Sequence, residues 1–264
     1  MRSLLLTASL FAMISLPVGL AAQQREHGST SKPTIVLVHG ALAGSSSWNG
    51  VVAELSKDGY RVIAAANPLR SVKGDAQYVA DIVASISGPV VLVGHSYGGE
   101  VISVAAAGKT NVKALVFVAA FAPEVGESAA SLGAKYPTGT LGQTLAPPVA
   151  LSDGSNDLYI DQSKYWQQFA ADVPQKDAVV MAATQRPITQ AALAEPVAAM
   201  SWRTVPSWFV WGSLDRNIPA ALHVFMAKRA QAREAIQIPG ASHVVMVSHP
   251  LKVAKLIERA AEAR

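Results

Sequence analysis

Short, unbroken runs of β-branched and apolar residues punctuate this chain, separated by stretches of helical periodicity. A strand with one wet face alternates polar and apolar residues; these runs do not alternate, so both of their faces must be covered. Strands of that kind alternating with helices predict a mostly parallel sheet with helices on both faces, an α/β fold. The expected strands are Thr34–Val38 (TIVLV), 61–66, 89–94 (PVVLVG), 112–119 (VKALVFVA), 207–211 and 235–238. The expected helices between and after them cover 48–58, 75–87, 97–107, 219–230 and 250–263. The rhythm breaks from about 124 to 203. Gly, Pro and Ser cluster over 126–154, and helix-like pieces follow near 158–171, 175–184 and 189–200, with no clear buried strand. A long excursion of this kind inside an α/β domain is read as a helical cap inserted over the sheet.

Of the 264 residues, 50% are hydrophobic and 15% charged, enough apolar material for a sizeable core. The absence of cysteine excludes disulfides, thiolate catalysis and Cys-ligated metals. The net charge of +4 comes from scattered residues. No basic run marks a nucleic-acid groove or a polybasic membrane patch, so neither partner is expected. The first residues are organised differently. Met1-Arg2-Ser3 is a positive start, an apolar stretch runs to Leu20, small residues follow at Ala21-Ala22, and the chain then turns polar. That is the layout of a secretory signal peptide. Pro17 and Gly19 interrupt the apolar stretch, which argues against a permanent anchor. The expected organisation is therefore a signal peptide over 1–22, a polar tether over 23–33 and one domain over 34–264. The mature protein is expected in the periplasm or secreted, with no stable membrane association after cleavage.

The chemistry centres on Gly94-His95-Ser96-Tyr97-Gly98, which fits G-x-S-x-G. The letters alone are weak evidence; the setting is not. They follow the PVVLVG strand and precede a helix, the strand–turn–helix context of a nucleophile elbow. Such a turn lifts the serine Oγ above the sheet, and the helix N-terminus favours negative charge developing there. Serine needs a base to become a nucleophile, and behind an elbow the acid and base follow in the order Ser, Asp or Glu, His. Of six histidines, His39 and His95 precede Ser96, His27 lies in the tether, His223 in an expected helix, and His249 at the start of the last one. His243, in the loop just past the last expected strand, is the expected base. Asp215, in the loop after the 207–211 strand, is the expected acid. Its competing role is to cap the helix near Pro219; Asn217 is expected to cap instead and leave Asp215 free. Asp153, Asp157 and Asp161 are the next candidates for the acid. The expected oxyanion donors are the backbone N–H groups of Ala41, in the loop after the first strand, and of Tyr97. Gly40 is expected to let the backbone pass close to substrate, and His39 to tie its loop. Trp166 and Phe169 are weaker candidates for substrate contact, alongside Tyr159, Tyr165 and Trp202. No G-x-G-x-x-G loop and no His–carboxylate cluster at ligand spacing occurs, so no cofactor or metal is expected.

Three stretches, VLVHGALAGSSSW, VGHSYGGEVIS and VWGSLDRNIP, together with MAATQRPI in the cap, resemble the α/β-hydrolase superfamily. Within it, they resemble small esterases related to plant hydroxynitrile lyases and methylesterases. The resemblance implies the α/β-hydrolase fold and a serine carboxylesterase that cleaves small esters through an acyl-enzyme. The lyases of this group carry Thr where this chain has Gly40, and Lys where it has Val244, so the resemblance implies hydrolysis rather than cyanide chemistry. Ser96 departs from the dehalogenase and epoxide-hydrolase relatives, which need Asp at the elbow. Two alternatives remain: a triad-bearing small-molecule receptor or signalling protein with slow turnover, and a carbon–carbon bond hydrolase of aromatic breakdown.

Overall fold

The computed structural model describes residues 32–263. The expected signal peptide and nearly all of the tether lie outside the described residues. Six strands form one parallel sheet: β1 (Thr34–Val38), β2 (Val62–Ala65), β3 (Val90–His95), β4 (Val112–Val118), β8 (Ser207–Gly212) and β9 (Glu234–Ile238), in the order β2-β1-β3-β4-β8-β9. Every residue of β1, β3 and β8 is buried, as their unbroken apolar runs require. β9 is an edge strand and alternates in burial instead.

Helices α1 (Asn49–Lys57), α2 (Val72–Ala84), α3 (Gly98–Ala105), α8 (Ala220–Arg229), α9 (Val245–Ser248) and α10 (Pro250–Glu262) fill the connections. Both α3 and α10 lie against β3 and β4, with α2 packed on α3 and α1 on α10. The chain leaves β1 in one direction to make β2 and crosses to the other side to make β3. Loops after β1 and β3 therefore diverge, and a crevice opens at the carboxyl edge between them.

Between β4 and β8 lies the cap. It holds α4 (Ala129–Lys135), α5 (Gln162–Phe169), α6 (Gln175–Ala183) and α7 (Gln190–Ala194). It also holds a small antiparallel sheet of β5 (Val149–Ala150), β6 (Asn156–Leu158) and β7 (Ile188–Thr189), which the sequence did not announce. Strands of two or three residues are too short to show a period of two. The cap is stitched to the sheet's carboxyl edge by Tyr165 Oη donating to the Leu42 carbonyl (2.9 Å), Leu42 N–H to the Arg186 carbonyl (2.9 Å) and Gln168 Nε2 to the Arg216 carbonyl (3.1 Å).

Three helix boundaries differ from expectation for identifiable reasons. The α2 helix starts at Val72, not 75, because Ser71 caps it by accepting from Gly74 N–H. The α7 helix stops at Ala194 because Pro196 cannot continue it. Glu195 turns away there to accept from the N–H groups of Val72 and Lys73 at the start of α2. Residues 158–160, expected to open a helix, instead pair in β6 and in an isolated bridge to Leu145; α5 begins only after Asp161 caps it. Among the described residues no helix is long and apolar enough to cross a membrane.

Close packing of α3 on the loop after β4 gives a direct test. A Cβ on Gly99 would lie 2.1 Å from the Phe121 carbonyl oxygen and 2.9 Å from Ala120 Cβ, whereas one on Gly133 in α4 would meet nothing within 4 Å. Gly99→Ala should destabilise by about 1–3 kcal/mol or more through overpacking. Gly133→Ala should stabilise by up to about 1 kcal/mol through helix propensity. Urea unfolding midpoints that move in the same direction for both would contradict this packing.

Candidate active site

At the carboxyl end of β3 the backbone must reverse into α3 within two residues. It does so through Ser96, whose φ of +52° lies in the left-handed region that L side chains rarely adopt. Two hydrogen bonds to its carbonyl, from Gly99 N–H (3.0 Å) and Phe121 N–H (3.1 Å), hold it there. Glycines make the turn sterically possible. A Cβ on Gly94 would lie 2.5 Å from the Gly98 carbonyl oxygen, and one on Gly98 would lie 2.5 Å from that of Val38. Gly40, expected to face substrate, is instead pressed on the elbow: a Cβ there would be 2.6 Å from the His95 carbonyl oxygen and 2.7 Å from Ser96 Cβ. It does not line the cavity; its neighbour Ala41 does.

Ser96, His243, Ala41, Tyr97 and Phe169 all line one cavity of about 400 Å³ beneath the cap. The backbone N–H groups of Ala41 and Tyr97 donate to no protein acceptor among the described residues. The Tyr97 side chain points away, its Oη donating to Asp75 Oδ2 at 2.9 Å. Burial and the adjacent Asp75 carboxyl raise the phenol far above its ordinary range, so it serves as a fixed anchor. Apolar side chains such as Leu42, Phe121, Leu145, Leu158 and Ile188 make up most of the wall, and no charged acid, lysine or arginine side chain is among the lining residues.

Trp166 does not reach this cavity. Tyr165 and Phe169, one helical turn apart, share the inward face of α5 with ring centroids 5.0 Å apart. Trp166 sits one step around the helix and donates its Nε1–H to the Val173 carbonyl within the cap.

Asp215 stands three residues past β8 and is buried. Its Oδ2 accepts from His243 Nδ1 at 2.8 Å. The carboxylate can only accept, so Nδ1 carries a proton, and in the neutral ring Nε2 holds the lone pair. Contrary to expectation, Asp215 also does the turn's work. Its Oδ1 accepts from the N–H groups of Asn217 (2.8 Å) and Ile218 (3.0 Å). Asn217 caps nothing; it lines the cavity, and its Oδ1 accepts from Gln168 Nε2 of the cap. The alternative carboxylates lie elsewhere: Asp157 pairs with Arg70, Asp161 caps α5, and Asp153 closes a turn with Ser155.

The sequence marks His223 only as a residue of an expected helix. It is buried on α8, with Nε2 3.1 Å from the same Asp215 Oδ2. Nothing local announces this pairing, because it forms only when α8 folds back over the Asp215 turn. Burial of Asp215 opposes its ionisation, yet the two imidazoles outweigh that and hold its carboxyl well below the usual range. His95 packs beneath the site, its ring centroid 4.7 Å from that of His243 and its Nε2 donating to the His243 carbonyl. Burial holds both His95 and His223 below the ordinary histidine value. His39 ties its loop by donating from Nδ1 to the Gly40 carbonyl (2.9 Å), and burial lowers it to about 4. Among the described residues no group of three or more His, Asp or Glu side chains is placed to hold a metal ion.

The family model described as the alpha/beta hydrolase family matches residues 35–256. The chain belongs to this family. An esterase of Oryza sativa subsp. japonica is 28% identical to this α/β hydrolase over 267 residues, covering 88% of this chain and 97% of the relative. An α-hydroxynitrile lyase of Arabidopsis thaliana is 25% identical over 243 residues, covering 84% and 94%. Among solved structures, polyneuridine aldehyde esterase superimposes with a TM-score of 0.76 at 19% identity, covering 88% of this chain and all of that one, which establishes the shared fold.

The buried imidazoles make a further prediction. An unfolded histidine titrates near 6.5, whereas folded His39 does so at about 4. Between those values the unfolded chain binds the extra proton, so this contribution to stability is present above pH 6.5 and is lost as pH falls toward 4. It is worth at most about 3 kcal/mol over that window. Asp75 and Glu100, buried with raised carboxyl values, pull the other way. The informative quantity is therefore the difference between parent and His39→Asn in urea unfolding from pH 7 to 4.5. The parent should lose more stability on acidification than the variant; parallel curves would contradict a neutral, buried His39.

Proposed function

We propose that this α/β hydrolase is a serine carboxylesterase in which Ser96 is the nucleophile, His243 the base and Asp215 the residue that orients it. The observation that carries the reading is the His243 Nδ1–Asp215 Oδ2 bond of 2.8 Å, with Ser96 and His243 on the wall of one apolar cavity. His243 Nε2 takes the Ser96 Oγ proton as Oγ attacks the ester carbonyl, and Asp215 stabilises the imidazolium that forms. The Ala41 and Tyr97 N–H groups receive the oxyanion. His243 then returns the proton to the departing alcohol. Water, activated by the same imidazole, attacks the acyl-enzyme, releases the acid and restores Ser96.

The wall bears no fixed charge, so it favours neutral esters with apolar groups and disfavours substrates that bring an ionised group into it. Gly40 and Val244 support hydrolysis over cyanide chemistry. Val244 is fully buried and apolar next to His243, where it offers no ammonium to a cyanide leaving group. The leader-like layout of residues 1–22 supports export of the mature enzyme to the periplasm or medium.

A fluorophosphonate should label the parent stoichiometrically on Ser96. Ser96→Ala should abolish both labelling and hydrolysis of a chromogenic ester while keeping the parent's thermal midpoint. Asp215→Asn should lose roughly 10⁴-fold in rate by disturbing the imidazole tautomer. A Ser96→Ala protein with most of the parent's esterase rate would overturn the assignment. Stoichiometric labelling with negligible turnover of every ester offered would instead favour a receptor.

A further inference from the structure

His223 touches the reaction's electrostatics without touching its substrate. Helix α8 opens at Ala220, behind Pro219 and directly after the Asp215 turn, so its first turn lies back over that loop. There His223 is buried beside Leu222 and Met226, and the Trp211 ring of β8 stacks on it at 5.5 Å with planes 19° apart. Its Nε2 meets the one oxygen, Asp215 Oδ2, that His243 also uses, at 3.1 Å against 2.8 Å. Because a carboxylate only accepts, the neutral His223 must present Nε2–H. Asp215 thus receives four N–H donors, two on each oxygen.

We propose that His223 is a positioning residue that fixes the Asp215 carboxylate and, by sharing its Oδ2, weakens that oxygen's grip on the His243 imidazolium. This rests on the triad reading above. The physical reason is competition. A second N–H on Oδ2 draws off part of the charge that would otherwise stabilise protonated His243. The other titratable groups facing His243 are Asp215 after β8 and His95 at the end of β3; His39 after β1 acts on His95 rather than on His243 directly. Of these, Asp215 stays anionic, and burial keeps His95 and His39 neutral.

The test is the pH profile of kcat/KM for a neutral chromogenic ester, measured on the parent, His223→Leu and His223→Gln. Leu removes the donor; Gln replaces it with an amide N–H of similar reach. His223→Leu should move the acid limb upward by about half to one pH unit and lower kcat with little change in KM. His223→Gln should return the limb to the parent's position. A Leu variant with the parent's limb, or a Gln variant displaced as far as Leu, would overturn the inference. Nitrogen NMR of the histidine-labelled parent provides a second measurement should Leu fail to fold. His223 should remain the neutral Nε2–H tautomer throughout the titration of His243; an Nδ1–H tautomer or a charged ring there would also overturn it. The triad reading fails separately, through an active Ser96→Ala enzyme. If Ser96→Ala and Asp215→Asn are inactive while His223 changes nothing, only this inference falls.

Discussion

A serine backbone held at φ +52° sets the geometry on which the rest of this molecule depends. Such a conformation costs on the order of 1–3 kcal/mol and persists only where the surroundings over-determine it. Here they do. Gly40, Gly94 and Gly98 let three lengths of backbone meet with no Cβ between them, and the Ser96 carbonyl takes two hydrogen bonds. The sheet order supplies the other half of the constraint. Because β1 and β3 are neighbours whose continuations diverge, the elbow and the Ala41 loop face each other across the crevice. The cap then covers that crevice with apolar side chains, leaving Ser96 and His243 among the few polar side chains on its wall.

Burial dominates the electrostatics. Three histidines beside or beneath the site are driven toward the neutral form by loss of solvent, and one carboxyl is kept ionised by the N–H groups around it. These effects act together. A protonated His95 would place a cation against the His243 ring, 4.7 Å away; held neutral, it leaves Asp215 as the charged group beside that ring. In the proposed mechanism the site gains one positive charge, on His243, at the moment Ser96 loses its proton.

How far the sequence could be read follows from how local each signal is. The strands β1, β3 and β8 were legible because each needs both faces covered, which leaves an apolar run, and β4 because its run is broken only by the exposed Lys113 near its start. The place of Ser96 on the turn between β3 and α3 was legible because its motif, strand and helix are contiguous. The Asp215 and His243 positions followed from strand ends, which place loops on the same edge. What the sequence hid is set by contacts that form only once the chain has folded. The His223–Asp215 bond exists only after α8 folds back. The β5–β7 sheet is shorter than any periodicity, and Glu195 caps a helix more than a hundred residues before it. Trp166 and Phe169 show the same limit. Both are aromatic, and only the rotation of α5 about its axis decides which one reaches the cavity.

The central claim is that turnover passes through an ester on Ser96. Its most direct test is rapid acid quench of the parent mixed with p-nitrophenyl pivalate, whose bulky acyl group slows deacylation, followed by peptide mass mapping. The account predicts a burst of one p-nitrophenol per enzyme, accompanied by the pivaloyl mass on the peptide that contains Ser96. Release of p-nitrophenol with that peptide unmodified, or with the acyl group on another residue, would contradict it.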